Sequence, residues 1–440
     1  MAKPVVAIVG RPNVGKSTFF NYLSGRRISI VEDTPGVTRD RIYSEAEWRD
    51  KKFTLIDTGG IEPFSEDKIM QQMKRQAEMA IDTADVIVFM VDAKDGMTAS
   101  DKEVATMLRR TKKPIILAVN KVDRIGNTPA EAYEFYNLGL GDIVPISSIH
   151  GLGMGDLLDE IYQHFPEDAE DDYDEDIIKV AVIGKPNAGK SSLINKMIGE
   201  ERVIVSDIPG TTRDAIDTYV ENGDDKYVFI DTAGIRRKSK ITESIEKYSI
   251  IRSWTAVDRA DVCLIMIDAV DGVTEQDTKI AGYAHDQGKA SVIVINKWDM
   301  VDKSTGTLEE YRKVVMEKLA FMPYAPIVFI SAKTGQRVNK IYELVKYVAD
   351  QAAFRISTGM LNDIVNEAVA MVQPPSDKGK RLKIFYMTQA DVKPPTFVIF
   401  VNDMQLMHYS YERYLENQLR KNFGFEGTPI RFIIREKSKE

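Results

Sequence analysis

The sequence predicts an α/β protein with two consecutive doubly wound, mostly parallel sheets, followed by a small α+β domain. Three observations predict this fold. Short apolar segments alternate with helical ones, the same order of segments occurs twice, and the pattern changes near residue 352. A chain of 440 residues is also too long for one core, because domains usually hold roughly 100–200 residues.

The strand-like segments of the two halves correspond in order. Each is apolar throughout and rich in Val and Ile, which is typical of strands covered on both faces. The first half has KPVVAIVG, KFTLIDTGG, DVIVFMVDA, PIILAVNKVD and DIVPISS, and the second has IKVAVIG, KYVFIDTAG, DVCLIMIDA, SVIVINKWD and PIVFISA. Helical segments such as SDKEVATMLRR lie between them, so we expect right-handed crossovers and parallel sheets.

These patterns predict a first domain over residues 1–165, a linker over 166–176, a second domain over 177–351 and a third over 352–440. Eight of the eleven linker residues are acidic, so we expect an extended, solvated spacer. Electrostatic mimicry of a nucleic acid is the alternative. The third domain has the order α-β-β-α-β, which predicts a small sheet with helices on one face.

Composition narrows the class of protein. The hydrophobic content of 43% is ordinary for a globular protein, and no apolar run is long enough to span a membrane. The single cysteine, Cys263, lies in an apolar run and is expected to be buried, which fits a reducing cytoplasm. The N-terminus lacks a signal-peptide pattern. The net charge of −8 argues against a wholly basic nucleic-acid binder.

A phosphate-binding loop of the type G-x-x-x-x-G-K-[ST] occurs in each half, between a strand and a helix. We expect Lys16 and Lys190 to hold the β- and γ-phosphates, and Ser17 and Ser191 to bind Mg²⁺. The residues predicted to surround the phosphates are Gly10, Arg11, Pro12, Asn13, Val14, Gly15, Lys16, Ser17 and Thr18, and Gly184, Lys185, Pro186, Asn187, Ala188, Gly189, Lys190, Ser191 and Ser192.

The base is predicted by an Asn-Lys-x-Asp motif at the end of a later strand in each half: Asn120, Lys121, Val122 and Asp123, and Asn296, Lys297, Trp298 and Asp299. An aspartate can accept hydrogen bonds from N1–H and the exocyclic amine of guanine, and the asparagine can serve the other edge of the ring. Adenine lacks that donor pattern, and such sites reject analogues by about 10⁴-fold. The sequence therefore predicts GTP and GDP as ligands and argues against an ATP-driven motor.

Further motifs complete each predicted site. Asp57 and Asp231 are expected to reach Mg²⁺, and Gly60 and Gly234 to donate an N–H to the γ-phosphate. These residues belong to the segments Asp57, Thr58, Gly59, Gly60 and Ile61, and Asp231, Thr232, Ala233, Gly234 and Ile235. Thr38 and Thr212 are expected to complete the Mg²⁺ shell when the triphosphate is bound. Weaker base contacts are predicted for Ser147, Ser148, Ser331 and Ala332.

With every motif present twice, the chain resembles the Der (double Era-like, EngA-type) family of bacterial GTPases, over essentially its whole length. The resemblance implies two Ras-like P-loop GTPase domains and a KH-like domain. It also implies a cytoplasmic nucleotide switch in assembly of the large (50S) ribosomal subunit, with ribosomal RNA as a partner and no membrane. We expect a monomer. A signalling or scaffold switch with protein partners is the alternative function.

The predicted mechanism lacks one usual group. Ras-like enzymes orient the attacking water with a glutamine after the DxxG motif. Here Ile61 and Ile235 occupy those positions, so hydrolysis is expected to be slow unless an external arginine or a monovalent cation supplies positive charge. Relatives with this hydrophobic replacement include potassium-stimulated GTPases, and that resemblance assigns a K⁺ ligand role to Asn13 and Asn187. A purely structural role of the two asparagines in the loop is the alternative.

Two regions suggest contact with RNA. KH domains usually clamp RNA with a GXXG loop, and no such loop lies between the helical segments of the third domain. Its aromatic residues Phe385, Tyr386, Phe397 and Phe400 are expected in the core, with base stacking as the alternative. The basic segment 234–240, which includes Arg236, Arg237 and Lys238, is either a nucleotide-gated phosphate-binding patch or a solvated loop.

Overall fold

The structure is a computed structural model, and it describes residues 4–25, 43–49, 51–58, 69–123, 130–166, 176–199, 203–206, 217–231, 253–302, 306–377 and 379–437. The chain forms two compact units, Met1–Asp171 and Asp172–Glu440.

The first unit is built on six strands. They are β1 (Val5–Val9), β2 (Tyr43–Trp48), β3 (Lys51–Asp57), β4 (Val86–Asp92), β5 (Ile115–Asn120) and β6 (Ile143–Pro145). Their order in the sheet is β2-β3-β1-β4-β5-β6, and the pairings are parallel except for β2 with β3. All residues of β1 and β4 are buried, as expected for strands covered on both faces.

Helices α1 (Lys16–Gly25), α2 (Ile69–Thr83), α3 (Ala99–Leu108) and α4 (Met154–Gln163) accompany this sheet. A 3₁₀ helix, Ala130–Leu138, precedes β6. Helix α3 begins at a capping box, in which the hydroxyl of Thr98 accepts from the backbone of Asp101 and the Asp101 carboxylate accepts from the backbone of Thr98. Because β1, β3, β4 and β5 are parallel, their carboxyl ends lie at one edge of the sheet, where the predicted motifs follow.

The second unit begins with a sheet of the same design. Its strands are β7 (Ile177–Gly184), β8 (Val203–Ser206), β9 (Thr218–Asn222), β10 (Asp225–Ile230), β11 (Val262–Asp268), β12 (Ala290–Asn296) and β13 (Ile327–Phe329). Their order is β13-β12-β11-β7-β10-β9-β8, with antiparallel pairing at β10–β9 and β9–β8. Its helices are α5 (Lys190–Ile198), α6 (Glu275–Asp286), α7 (Thr307–Lys318) and α8 (Lys340–Ala353). Cys263 is fully buried, as predicted.

The third predicted domain forms the end of the second unit. It contains α9 (Thr358–Met371), β16 (Ile384–Asp391), β17 (Thr396–Val401), α10 (Tyr409–Phe423) and β18 (Arg431–Glu436), which confirms the predicted order. A hairpin of two-residue strands, β14 (Ser376–Asp377) and β15 (Lys380–Arg381), is an addition. The sheet order is β16-β17-β18, antiparallel and then parallel. Its core joins the sheet to α9 and α10 through residues such as Leu361, Phe397 and Leu415.

This last domain is attached directly to the second sheet. The backbone N–H of Ser291, near the start of β12, donates to the carbonyl of Gly427 at 2.7 Å. Gly427 in turn donates to the carbonyl of Tyr324 at 2.7 Å. A Cβ at Gly427 would lie 2.1 Å from a methyl carbon of Val348, and its φ of +80° also favours glycine. The attachment therefore requires glycine at position 427.

Candidate functional site

Each phosphate loop adopts the same unusual backbone. Asn13 and Gly15 have φ values of 65° and 101°, and Asn187 and Gly189 have 61° and 100°. Asparagine tolerates the left-handed region better than other residues with a side chain, and glycine enters it freely. Alternation between right- and left-handed residues turns successive N–H groups toward one concavity, which binds anions. The two loops are thus built alike, and each opens a helix at its lysine.

The lysine of each loop is held inside it. Lys16 Nζ donates to the carbonyls of Gly10 and Arg11 at 2.7 and 2.8 Å. Lys190 Nζ donates to those of Gly184 and Lys185 at 2.6 and 2.8 Å. Burial lowers the pKa of each lysine to about 8, against a smaller opposing effect of a nearby aspartate. Each loop therefore carries a desolvated cation that a phosphate would stabilise.

The Asn-Lys-x-Asp motif reaches the phosphate loop through its asparagine. Asn120 Nδ2 donates to the carbonyl of Val14 at 2.6 Å, and Asn120 Oδ1 accepts from the backbone of Ser148 at 2.9 Å. In the second site, Asn296 Nδ2 donates to Ala188 at 2.8 Å and its Oδ1 accepts from Ala332 at 2.9 Å. The asparagines therefore join the phosphate loop to the loop predicted to contact the base, and their contact with the ring itself stays a prediction.

The second glycine of each phosphate loop makes room for this asparagine. A Cβ at Gly15 would lie 2.2 Å from Asn120 Nδ2, and one at Gly189 would lie 2.1 Å from Asn296 Nδ2. A Cβ atom cannot approach a nitrogen atom that closely, so a larger residue at either position would displace the asparagine. The first glycine has a similar constraint, because a Cβ at Gly10 or Gly184 would meet a β4 or β11 carbonyl oxygen at 2.3 or 2.4 Å.

The aspartate predicted to recognise guanine is accessible in both sites. Asp123 Oδ1 accepts from the Ser147 hydroxyl at 2.8 Å, and Asp123 Oδ2 accepts from Lys94 Nζ at 2.6 Å. The hydrogen bond from Lys94, followed by that from Ser147, lowers the pKa of Asp123 below its ordinary value. Asp123 is therefore ionised at neutral pH, as an acceptor for two guanine donors must be.

Two oxygens fit the expected Mg²⁺. The hydroxyl of Ser17, in the first turn of α1, donates to Asp57 Oδ2 at 2.9 Å, and Asp57 ends β3. Hydroxyl and carboxylate oxygens are the ligands that Mg²⁺ prefers, and Mg²⁺ uses few protein ligands beside phosphate and water. Ser191 and Asp231 occupy the corresponding positions, after β7 and β10. The residues present therefore suit this ion.

Other predicted residues make structural contacts. Arg11 and Lys185 form ion pairs with Asp95 and Asp271, at 3.2 and 2.9 Å, and offer their carbonyls to the loop lysines. Lys121 and Lys297, both with positive φ, pair with buried aspartates at the ends of β4 and β11. The remaining predicted residues differ in burial. Buried positions are Val14, Thr58, Val122, Ala188 and Trp298. Thr18 and Ser192 are exposed, and Pro12 and Pro186 are half-buried.

Part of the prediction lies outside the described residues. This applies to Thr38, Gly59, Gly60 and Ile61 in the first site, and to Thr212, Thr232, Ala233, Gly234 and Ile235 in the second. It also applies to the basic residues Arg236, Arg237 and Lys238, and to the linker between residues 166 and 176.

Sequence reasoning missed the aspartates Asp92 and Asp268. Each ends a strand, accepts a backbone N–H from two residues later, and forms the ion pair with the motif lysine. The signal was available, because D-A-x-D-G occurs in both halves, at 92–96 and 268–272. These acids hold the two motif lysines and thereby the backbone that presents the aspartate predicted to recognise guanine.

The third domain has one notable feature outside the predicted elements and one departure from the prediction. A Gly-x-x-Gly quartet occurs at 424–427, but it follows α10, so the segment between the two helices lacks one as predicted. Phe425 within the quartet and Thr428 directly after it are fully buried. The quartet is used for the attachment to the second sheet described above. The expectation of four core aromatics was wrong for Phe385 and Tyr386, which are each 39% exposed. Phe397 is buried in the core as predicted, whereas Phe400 is half-buried and outside that core.

Comparisons with known proteins agree with this construction. A family model described as "50S ribosome-binding GTPase" matches residues 5–121 and again 179–297. A model described as "KH-domain-like of EngA bacterial GTPase enzymes, C-terminal" matches residues 355–435. Proteins named GTPase Der from Acetivibrio thermocellus and Ruminiclostridium cellulolyticum are 79% and 80% identical over 440 residues, which is 100% of each chain. One from Alkaliphilus metalliredigens is 64% identical over 438 residues, 100% of this chain and 99% of its own.

The repeated fold and site define a tandem P-loop GTPase, an enzyme that binds guanine nucleotide and hydrolyses GTP. The full-length matches identify the family in turn: the chain belongs to the Der family of GTPases. Over the described parts of the chain, none of the helices combines the length and apolarity needed to cross a bilayer.

Proposed function

We propose that this GTPase is a nucleotide switch in the assembly of the large ribosomal subunit. The observation that carries the proposal is the double match to a family described as 50S ribosome-binding GTPases, one match on each half of the chain. The KH-like domain supports it, because such domains are RNA-binding modules.

In each site, we propose that Lys16 or Lys190 moves its ammonium group from the loop carbonyls to the β- and γ-phosphates. The ammonium ions and loop amides then stabilise the charge that develops as water attacks the γ-phosphorus in line. The bond to the attacking oxygen forms as the bond to the β-phosphate oxygen breaks, giving GDP and phosphate. Mg²⁺, held by Ser17 and Asp57 or by Ser191 and Asp231, would supply Lewis-acid neutralisation of the phosphates.

Cosedimentation of the full chain with 50S subunits tests the switch. We expect binding with a non-hydrolysable GTP analogue and clearly weaker binding with GDP. The control is the Gly15→Ala, Gly189→Ala double variant, which is expected not to bind nucleotide because both loops lack space for the added methyl group. Its sedimentation should not depend on the nucleotide added. Equal sedimentation in both nucleotides, or none in either, would favour a switch with protein partners instead.

We propose that potassium assists hydrolysis at Asn13 and Asn187. The test must separate a ligand role from the loop role, because both asparagines have positive φ. Asn13→Gly and Asn187→Gly keep that conformation and remove the amide oxygen. We expect faster turnover in potassium than in sodium for the natural chain, and no difference for the double glycine variant. Equal rates of the natural chain in both salts would refute the proposal.

A further inference from the structure

One face of the C-terminal sheet is open. Met387, Phe397, Ile399 and Ile434 point toward α9 and α10 and belong to the core of the domain. Because side chains alternate along a strand, Tyr386, Phe400 and Arg435, which lie side by side across the three strands, are on the opposite face. We call this surface, with Phe385, Lys383 and Lys437 at its end, the open sheet face.

The open sheet face presents aromatic rings to solvent. The rings of Tyr386 and Phe400 are stacked, with centroids 4.4 Å apart and planes 19° apart. The pairing of β16 with β17 is irregular between Ile384 and Tyr386. A bulge of this kind adds a residue to one strand and breaks the alternation, which explains why Phe385 and Tyr386 are both exposed although they are consecutive.

Three cations lie on the open sheet face, two of them beside the Phe385 ring. The ammonium groups of Lys383 and Lys437 lie 5.3 and 5.5 Å from the centroid of the Phe385 ring. Arg435 is paired in register with Phe400 and is exposed. Within the described residues, none of these three cations forms an ion pair with a carboxylate. The adjacent Glu436 instead accepts from the backbone of Met404 at 3.0 Å.

We propose that the open sheet face binds single-stranded RNA. An unpaired base would stack on Tyr386, whose other face is supported by Phe400, while Lys383, Lys437 and Arg435 contact phosphates. Stacking requires unpaired bases, so the chemistry selects single strands over duplexes. The Gly-x-x-Gly quartet is not free for this task, because its backbone is bonded to the second GTPase domain. The inference rests on the proposed ribosomal function for the source of its RNA.

The test uses the full chain and fluorescence anisotropy with a labelled short oligouridine. We expect Tyr386→Thr, which keeps a strand-forming residue, to weaken binding about tenfold, since an aromatic–base stack is lost. Tyr386→Phe should retain binding, because it retains the ring. Lys437→Gln should lower the slope of log affinity against log salt by about 0.7, the value for one phosphate contact with a single strand.

Tyr409→Ala is the matched control. Tyr409 is an exposed aromatic of α10 with a cation, Arg413, 5.7 Å from its ring centroid, but it lies on the helical side of the domain. We expect unchanged RNA binding for Tyr409→Ala and unchanged GTP hydrolysis for every variant. Equal oligouridine affinity of the Tyr386→Thr variant and the natural chain would overturn the inference.

Cosedimentation with 50S subunits separates the inference from the proposed function. Natural chain that sediments, with a Tyr386→Thr variant that does not, supports both. If both sediment equally, the open sheet face is not the contact and the ribosomal function stands. If Tyr386→Thr loses subunit binding but keeps oligouridine binding, the face contacts protein and the RNA inference is wrong. Failure of the natural chain to sediment in any nucleotide contradicts the proposed function itself.

Discussion

The two GTPase domains build their phosphate loops with the same contacts and differ in the side chains around them. In the first domain, Lys94 forms an ion pair with Asp123, the aspartate predicted to recognise guanine. The corresponding position of the second domain holds Val270, which is 57% exposed. In the second domain, Arg259 pairs with Asp217, whose carboxylate also accepts from the backbone of Asp231. The first domain has Thr83 and Tyr43 at those positions.

This comparison shows that the contacts that hold the phosphate loop are the same in both domains, whereas the contacts around them differ. Equivalent hydrogen bonds are made in the two domains by Asn120 and Asn296, by Lys16 and Lys190, and by the two capping boxes. The charged residues around the loops differ between the domains, and we expect them to change the nucleotide affinity of each domain. The differences therefore predict unequal affinity and stability rather than different chemistry.

Arg259→Ala should have the largest effect, on stability. The side chains of Arg259 and Asp217 are 13% and 4% exposed, and removing one partner of a buried pair typically costs about 3 kcal/mol. Urea unfolding monitored by tryptophan fluorescence, in a Trp48→Phe background that leaves Trp254 and Trp298 in the second unit, measures this loss. Thr83→Ala in the first unit is the control, and an equal midpoint for both variants would contradict the prediction.

Gly15→Ala and Gly189→Ala should each remove one equivalent of bound GDP. The added Cβ would meet the motif asparagine at 2.2 or 2.1 Å in a left-handed backbone, so affinity at the altered site is expected to fall about 100-fold or more. Isothermal titration gives the stoichiometry. The single variants test the equivalence of the domains, since loss in one but not the other would show that the loops tolerate the methyl group differently.

Raising the pH above 8 should weaken GTP binding in both domains. The phosphates favour the charged lysine and so raise its pKa in the complex above the free value of about 8. Affinity is then constant below pH 8 and falls by up to about tenfold per pH unit above it, as binding requires proton uptake. Titrations between pH 7 and 9, where guanine keeps its N1 proton, measure this, and Lys16→Met should abolish the dependence in the first site. A pH-independent natural chain would contradict the prediction.

Exchange of the residues at positions 94 and 270 should have the smallest effect. Guanine must compete with Lys94 for Asp123, so Lys94→Val should raise GDP affinity of the first site, and Val270→Lys should lower that of the second. The pair is exposed and screened by solvent, so each change is expected to be about two- to fivefold. Fluorescent GDP titration with the other site disabled measures it. Salt should erase the difference, and an effect that survives high salt would point to another cause.

Much of the fold and site could be predicted from the sequence because the signals are local and repeated. Buried parallel strands appear as apolar runs, and glycine, lysine, asparagine and aspartate follow them in fixed motifs. The joining role of Asn120 could not be predicted, since it depends on the distance between β5 and the phosphate loop. Exposure of Phe385 and Tyr386 depends on a bulge in the register of β16, which no composition rule reveals.

Strand β12 contacts the C-terminal domain near its start and the second phosphate loop at its end. Ser291, near its start, is bonded to the C-terminal domain, and Asn296, its last residue, donates to the carbonyl of Ala188 in the second phosphate loop. Five residues of strand span only roughly 17 Å. The C-terminal domain and the second phosphate loop are therefore joined through one continuous strand. Movement of the C-terminal domain and nucleotide binding at the second phosphate loop would thereby act on the same strand.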